Sequence, residues 1–255
     1  VYAVGYDAGI TEGMNEKGLQ VASLFCKTAQ YSDSTNNDRR PVSLSVFVAW
    51  LLDNNATTAE VLKQVEGQDF TLYGATFDGG TESKLHFGVT DASGESAIIE
   101  FSKGRMCVYR PDSIHVMTND PEWPAMSAIV SYWRGVGGTN MLPGTVRSAA
   151  RCVRGDFFIR NVARVADADL GASILRSVMF NVSVPYLYTV TGEPNVSSTQ
   201  WRSMCNLRDL RYYFDSATAR GLYYIDLGKC DLRPGAPVLK LTTIDCTDVC
   251  GEANR

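Results

Sequence analysis

"KLHFGVTDASGESAIIEFSKGRMCVY", Lys84 to Tyr109, decides the fold class. Lys84–Thr90, Ser96–Phe101 and Met106–Tyr109 are β-rich runs, and Asp91-Ala-Ser-Gly94 and Lys103-Gly104 between them are turn signals. The spacing predicts an antiparallel meander, extended by Phe70–Phe77, which ends at the turn Asp78-Gly79-Gly80, and by Ile114–Thr118. Upstream, Val1–Asp7 and Leu19–Cys26 read as strands of a hairpin around Asn15-Glu16-Lys17-Gly18. The polar loop Tyr31–Pro41 ends in a proline suited to a helix start, and Ser43–Asp53 behind it is an apolar helix. Thr57-Thr-Ala-Glu60 has capping-box spacing and opens a second helix through Val65, stopped by Gly67. Downstream, helices are expected over Thr145–Val165 and Asp169–Asn181, and strands over Gln200–Leu207, Leu210–Ser216 and Leu222–Leu227. Two blocks of strands with helices gathered between them predict α+β layers. With no repeat, low-complexity segment or linker, residues 1–255 are expected to form one domain.

Composition narrows the function classes. The 255 residues are 45% hydrophobic and 20% charged, enough apolar material for one substantial core. A net charge of −4 offers no basic field for nucleic acid. The longest apolar run, Val42–Leu52, is interrupted by Ser43 and Ser45 and falls short of the roughly 18 residues that cross a bilayer, so no membrane partner is expected. The seven cysteines contain no CxxC pair, and His86 and His115 are the only histidines, which argues against a metal centre. Cys246 and Cys250, or either with Cys230, could close a disulfide. No GxSxG, GxxxxGK[ST] or GxGxxG is present.

Three stretches could carry chemistry. In "HVMTNDP", His115–Pro121, Asn119 is either an ordinary turn former or a carboxamide held at a sheet rim with its N–H groups toward a developing oxyanion. In "LPGTVRSAARCVRGDFFIR", Leu142–Arg160, Arg147, Arg151 and Arg154 share a helix face, either as a solvated basic stripe or as part of a site beside Val153, Phe157 and Phe158. On the strand Leu19–Cys26, Phe25 reads as a core aromatic, and nothing near Cys26 in sequence would lower a thiol pKa. The residues alone stop at an α+β domain with an asparagine and an arginine to watch.

The stretches "DAGITEGMNEKGLQVASLF", "SGESAIIEF", "VMTNDPEWPAM", "GGTNMLPGTVRSAARCVRGDFFIRNV", "NVSVPYLYT", "NVSSTQWRSMCNLRDLRYYFDSA" and "LYYIDLGK" together resemble the choloylglycine hydrolase and penicillin V acylase family of N-terminal-nucleophile hydrolases. They follow the family's order over nearly the whole chain. Phe25, where bile salt hydrolases usually carry asparagine, makes the chain more similar to the penicillin V acylases of Gram-negative bacteria. The resemblance implies an αββα four-layer sandwich with antiparallel sheets. It also implies hydrolysis of a small-molecule N-acyl amide, such as penicillin V, an acyl-homoserine lactone or a conjugated bile acid, without cofactor or metal. The family's nucleophile is an N-terminal cysteine whose own α-amine is the base.

Carried over residue by residue, Asn119 matches the family's oxyanion-hole asparagine, and Arg151, in Ala150-Arg151-Cys152, its active-site arginine. Phe25 matches the position whose backbone N–H completes the oxyanion hole and whose side chain shapes the acyl pocket. The family's cysteine, and the arginine and aspartate just after it, lie on strands before the segment matched by Val1-Tyr2, and Asp7 is not in the Arg-x-x-Asp context. The expectation is therefore a fold lacking its N-terminal strands, with the nucleophile on a separate or upstream segment. The alternative is a non-catalytic ligand-binding homologue or inactive truncated fragment on the same scaffold. The resemblance further implies a homo-oligomer, a tetramer in many members, and with the C-terminal cysteines it favours an exported or periplasmic location.

Overall fold

The structure is a computed structural model that describes residues 1–5, 9–32, 39–67, 69–74, 76–77, 81–192, 198–219, 221–242 and 251–252. The N-terminal half forms β1 (Tyr2–Gly5), β2 (Gly9–Met14), β3 (Gln20–Phe25), β4 (Arg40–Ser43), α1 (Phe47–Asn54), α2 (Thr58–Glu66) and β5 (Phe70–Tyr73). The short β6 (Thr76–Phe77) and β7 (Thr81–Glu82) precede β8 (Leu85–Thr90), β9 (Ser96–Ser102) and β10 (Arg105–Tyr109). Then come α3 (Trp123–Val136), α4 (Ser148–Asn161), α5 (Ala168–Val182), β11 (Trp201–Asn206), β12 (Arg211–Ser216), β13 (Leu222–Asp226) and β14 (Gly251–Glu252).

Alternation along the strands builds the layers. In the six-stranded antiparallel sheet, ordered β1-β2-β3-β8-β9-β10, Val21 stands opposite Val89, and Phe87 opposite Ile99. These side chains share one face and bury against Phe47, Val48, Leu51 and Leu52 of α1 and Val61, Leu62 and Val65 of α2. The Phe47 ring packs against Trp50, Phe70 and Phe87 with centroids 4.8–5.7 Å apart. Each such fully buried apolar side chain contributes roughly 1.5–3 kcal/mol. The opposite face meets a second sheet, ordered β11-β12-β13-β14, through Met14, Tyr212, Phe214, Tyr223 and Leu227. Beyond that sheet, α5 buries Ala172 against Met204 and Tyr213. The order of layers is helix, sheet, sheet, helix: an αββα sandwich.

Local chemistry fixes the element ends. Asn15 in the β2–β3 turn donates to the carbonyls of Leu52 and Asn55 and accepts from the Lys17 and Leu19 amides. One side chain thereby satisfies carbonyls that the end of α1 leaves open and shapes the turn. Gly18 in this turn has φ +75°, and a Cβ there would stand 2.3 Å from the Leu207 carbonyl, so glycine lets the turn touch the second sheet. Half of the expected capping box forms: the Thr57 side chain accepts from the Glu60 amide, while the Glu60 carboxylate accepts from the amide of Ala56, one residue before the cap, rather than from that of Thr57.

The structure departs from the sequence reading in five places. Phe70–Tyr73 does not extend the antiparallel meander but pairs parallel with β4 in a separate two-stranded sheet. Gly9–Met14 is a strand of its own, so the predicted hairpin is the second of two. Pro41 lies in β4, which pairs parallel with β5, and α1 begins only at Phe47. Ile114–Thr118 is not a strand: it crosses the inner face of the six-stranded sheet, where a Cβ on Gly88 would meet Met117 at 3.1 Å. Trp123–Val136 is a helix although no helix is expected there, with a proline in its first turn and Met126 and Val130 buried one turn apart. Asp7, the turn at residues 78–80, and Cys246 and Cys250 with their expected disulfide lie outside the described residues. No described helix is long and apolar enough to cross a membrane.

One polar group sits in the seam between the sheets. The Glu12 carboxylate on β2 accepts from Trp201 Nε1 at 2.9 Å, Ser203 Oγ at 2.6 Å and Tyr212 OH at 3.1 Å, all on the second sheet. Burial, and then the Glu12 charge, push the Tyr212 hydroxyl well above its ordinary range, so it stays a donor. Glu12→Ala strands these three donors, and it is expected to lower unfolding free energy by about 2–4 kcal/mol. Urea titration at pH 7 measures this; a loss below about 0.5 kcal/mol would show that the apolar seam holds the sheets unaided.

Candidate active site

The C-terminal end of β3 begins the site. Cys26 N–H donates to the Lys84 carbonyl, one residue beyond the last β3–β8 pair. Antiparallel alternation therefore turns the Phe25 N–H and C=O away from β8. On that side lies the segment that follows Ile114–Thr118. Asn119 Nδ2 donates to the Phe25 carbonyl at 2.9 Å, and Asp120 Oδ1 accepts from the Lys27 amide at 2.6 Å.

The first turn of α4 supplies the other wall. Thr118 Oγ1 donates to the Ser148 carbonyl, and the Ser148 and Thr118 hydroxyls are 2.9 Å apart. Cys152 Sγ reaches the Val116 carbonyl, and a Cβ at Gly155 would meet Val116 at 3.1 Å, so a small residue in α4 lets the segment lie close. Thus placed, Arg151 Nη2 donates to Asn119 Oδ1 at 2.6 Å, and its Nε to the Val146 carbonyl at 3.0 Å. The network fixes the carboxamide orientation, since its oxygen must face the guanidinium and its nitrogen the Phe25 carbonyl. Asn119, Arg151 and the Phe25 peptide meet in one place, although 94 and 32 positions separate the two bonded pairs in sequence.

The electrostatics are unusual. Among the described residues Arg151 bonds only to neutral oxygens, those of Val146 and Asn119. Burial, and then the neighbouring Arg154 cation, press its guanidinium below the ordinary range. Arg154 is likewise no solvated stripe residue: it donates to the carbonyls of Asn181, Pro143 and Thr145 and ties the turn before α4 to the end of α5. A half-buried cation with no carboxylate partner among the described residues attracts negative charge. The Asn119 amide has two hydrogens and spends one on Phe25, which leaves the second available to an incoming oxygen. The arrangement can stabilise an anion.

It contains no activated thiol. Cys26 is buried with its thiol pushed up by desolvation, and Cys152 is pushed up to about 12 for the same reason. Among the described residues no group of three His, Cys, Asp or Glu could hold a metal ion. Sequence reading missed the Thr118–Ser148 pair and the Asp120–Lys27 contact, and no local pattern signals them because each joins distant segments.

The model of the family described as "Linear amide C-N hydrolases, choloylglycine hydrolase family" matches residues 3–252. A penicillin V acylase of Pectobacterium atrosepticum is 34% identical over 251 residues, 92% of this chain and 66% of that protein. A bile salt hydrolase/transferase of Clostridium perfringens is 25% identical over 244 residues, 87% of this chain and 73% of that protein. The chain thus spans about two thirds to three quarters of these relatives' lengths. The solved penicillin V acylase of Agrobacterium tumefaciens superposes with a TM-score of 0.89 at 34% identity, over 99% of this chain and 78% of that one.

A thiol pushed above its ordinary range by burial exposes less thiolate at pH 7 than an ordinary cysteine, and burial slows access further. Cys26 in folded protein is therefore expected to resist iodoacetamide at pH 7 and to alkylate fully in denaturant, as read by peptide mass spectrometry. Rapid, stoichiometric labelling of Cys26 in the native state would contradict its assignment as a packing residue.

Proposed function

The chain belongs to the choloylglycine hydrolase family of linear amide C–N hydrolases, and we propose that it forms the oxyanion and anion-stabilising part of an N-acyl amide hydrolase. The observation that carries this reading is the convergence of the Phe25 peptide edge, the Asn119 carboxamide and a half-buried Arg151 that has only neutral partners among the described residues. The substrate class is a small N-acyl amide of the penicillin V, acyl-homoserine lactone or conjugated bile acid type. Similarity to a penicillin V acylase at 34% identity, against 25% for a bile salt hydrolase, favours the first of these.

In this reading a thiolate attacks the carbonyl carbon, and the carbonyl oxygen gains the charge. The free Asn119 N–H and the Phe25 backbone N–H donate to that oxygen, and Arg151 lowers the energy of the added negative charge while holding Asn119 in place. Collapse of the tetrahedral adduct breaks the C–N bond, the amine leaves with a proton, and water then hydrolyses the thioester. The thiol is the family's N-terminal cysteine, on sequence preceding Val1, with its own α-amine as the base that takes the thiol proton. The raised, buried thiols of Cys26 and Cys152 support placing the nucleophile elsewhere.

Two outcomes test this. Removing one oxyanion donor by Asn119→Ala in the processed full-length protein is expected to lower turnover by about 10²–10³ with the fold intact by circular dichroism; unchanged turnover would return Asn119 to the role of a turn former. Residues 1–255 alone are expected to show no hydrolysis of penicillin V or N-acyl homoserine lactones. The preceding segment, processed to a free N-terminal cysteine, is expected to restore it, and Cys26→Ala to leave it largely intact. Activity from 1–255 alone, abolished by Cys26→Ala, would move the nucleophile to β3.

A further inference from the structure

Behind the Asn119 segment lies a buried hydrogen-bonded pair that the proposed chemistry does not use. His86 on β8 and Glu100 on β9 face each other across the strands, on the inner side of the six-stranded sheet, and both are almost fully buried. His86 Nδ1 is 3.0 Å from Glu100 Oε1. Both Glu100 oxygens already face the Trp123 N–H as acceptors, so Nδ1 is the donor of this pair. The same carboxylate accepts the backbone N–H of Trp123, at 3.0 Å to Oε1 and 2.9 Å to Oε2. Trp123 is the first residue of α3, so the carboxylate meets a helix N-terminus whose amides have no partner within the helix.

Only Asp120, Pro121 and Glu122 separate Trp123 from Asn119. Two of these are pinned to the sheet as well: Asp120 accepts from the Lys27 amide, and Glu122 accepts from Ser102 Oγ at 3.2 Å. Residues 119–123 are thus stretched between the end of β3 and the middle of β9, and Glu100 is the anchor at the far end. A shift of Trp123 moves Asn119 relative to the Phe25 carbonyl and Arg151. We propose that Glu100, held in its rotamer by His86, is a positioning residue for the Asn119 carboxamide; this rests on the functional reading above for its consequence, not for its geometry.

Replacing Glu100 by glutamine leaves one of the two oxygens facing the Trp123 N–H as an acceptor and turns the other into a donor, which weakens the contact without a change of size. Glu100→Ala removes both acceptors. The first readout needs no activity: the side-chain amide resonances of Asn119 in ¹⁵N-labelled protein, assigned by their loss in Asn119→Asp. They are expected to shift in Glu100→Gln, and further in Glu100→Ala, while Glu66→Gln, at an exposed ion pair with Arg110, leaves them in place. The second readout is kinetic in the processed full-length protein. Misplacement of an oxyanion donor is expected to lower kcat about 10–100-fold with KM within about twofold. Should Glu100→Ala fail to fold, Glu100→Gln decides alone. Folded Glu100→Gln with unshifted Asn119 resonances overturns the proposal, as does unchanged kcat in an active enzyme. An inactive wild-type protein would refute the hydrolase reading instead, and the resonance shifts would still decide the role of Glu100.

Discussion

The closure of the sandwich depends on a carboxylate set in an apolar seam. Glu12 gathers an indole N–H, a serine hydroxyl and a tyrosine hydroxyl from β11 and β12. Apolar contact is non-directional and allows two sheets to slide. A group that must be met by three donors does not. Met14 and Leu227 supply area in that seam, while Glu12 selects one superposition of the sheets. Everything mounted on the second sheet, including α5 and the α4 that Arg154 ties to its end, is placed by that choice.

Charge burial then separates scaffold from site. Asp156 is buried but held by Arg134 and Arg160, and Asp215 is buried but held by Arg176 and Arg202. Each buried carboxylate has two guanidinium partners, so its charge is answered within the fold. Arg151 is the contrast: it is half-buried, cationic and bonded to neutral oxygens alone among the described residues. A protein holds such a group where the surroundings over-determine it, and here Thr118, Ser148 and Gly155 fix α4 against the Asn119 segment. In the proposed reaction, the cost of desolvating Arg151 is recovered as negative charge develops on the carbonyl oxygen.

Much of the fold was legible because its signals are local. The meander from Lys84 to Tyr109 announced itself by alternation and by Gly94 and Gly104, and the helix cap at Thr57 by spacing. The failures share a cause. Ile114–Thr118 has the composition of a strand, yet its polar groups go to Ser148 and its Val116 carbonyl to Cys152, so tertiary contacts replaced a β ladder. The helix at Trp123 carried its proline signal, but its first amide is satisfied by Glu100, 23 positions away. No pattern within a window of the sequence contains that partner.

By itself the sequence determined the α+β class, the paired strands and most of the helices, because side-chain alternation, turn glycines and caps act over a few residues. Through its ordered stretches it also carried the likeness to a family, and with it the suggestion that Asn119, Arg151 and Phe25 belong together. The tertiary structure alone decided how they meet: that Asn119 spends one hydrogen on Phe25 and gives its oxygen to Arg151, and that Arg151 has no carboxylate to answer it among the described residues. Those are facts of direction and distance between segments far apart in the chain. They are set by closing two sheets on one another and laying an extended strap across the gap, which no local propensity encodes.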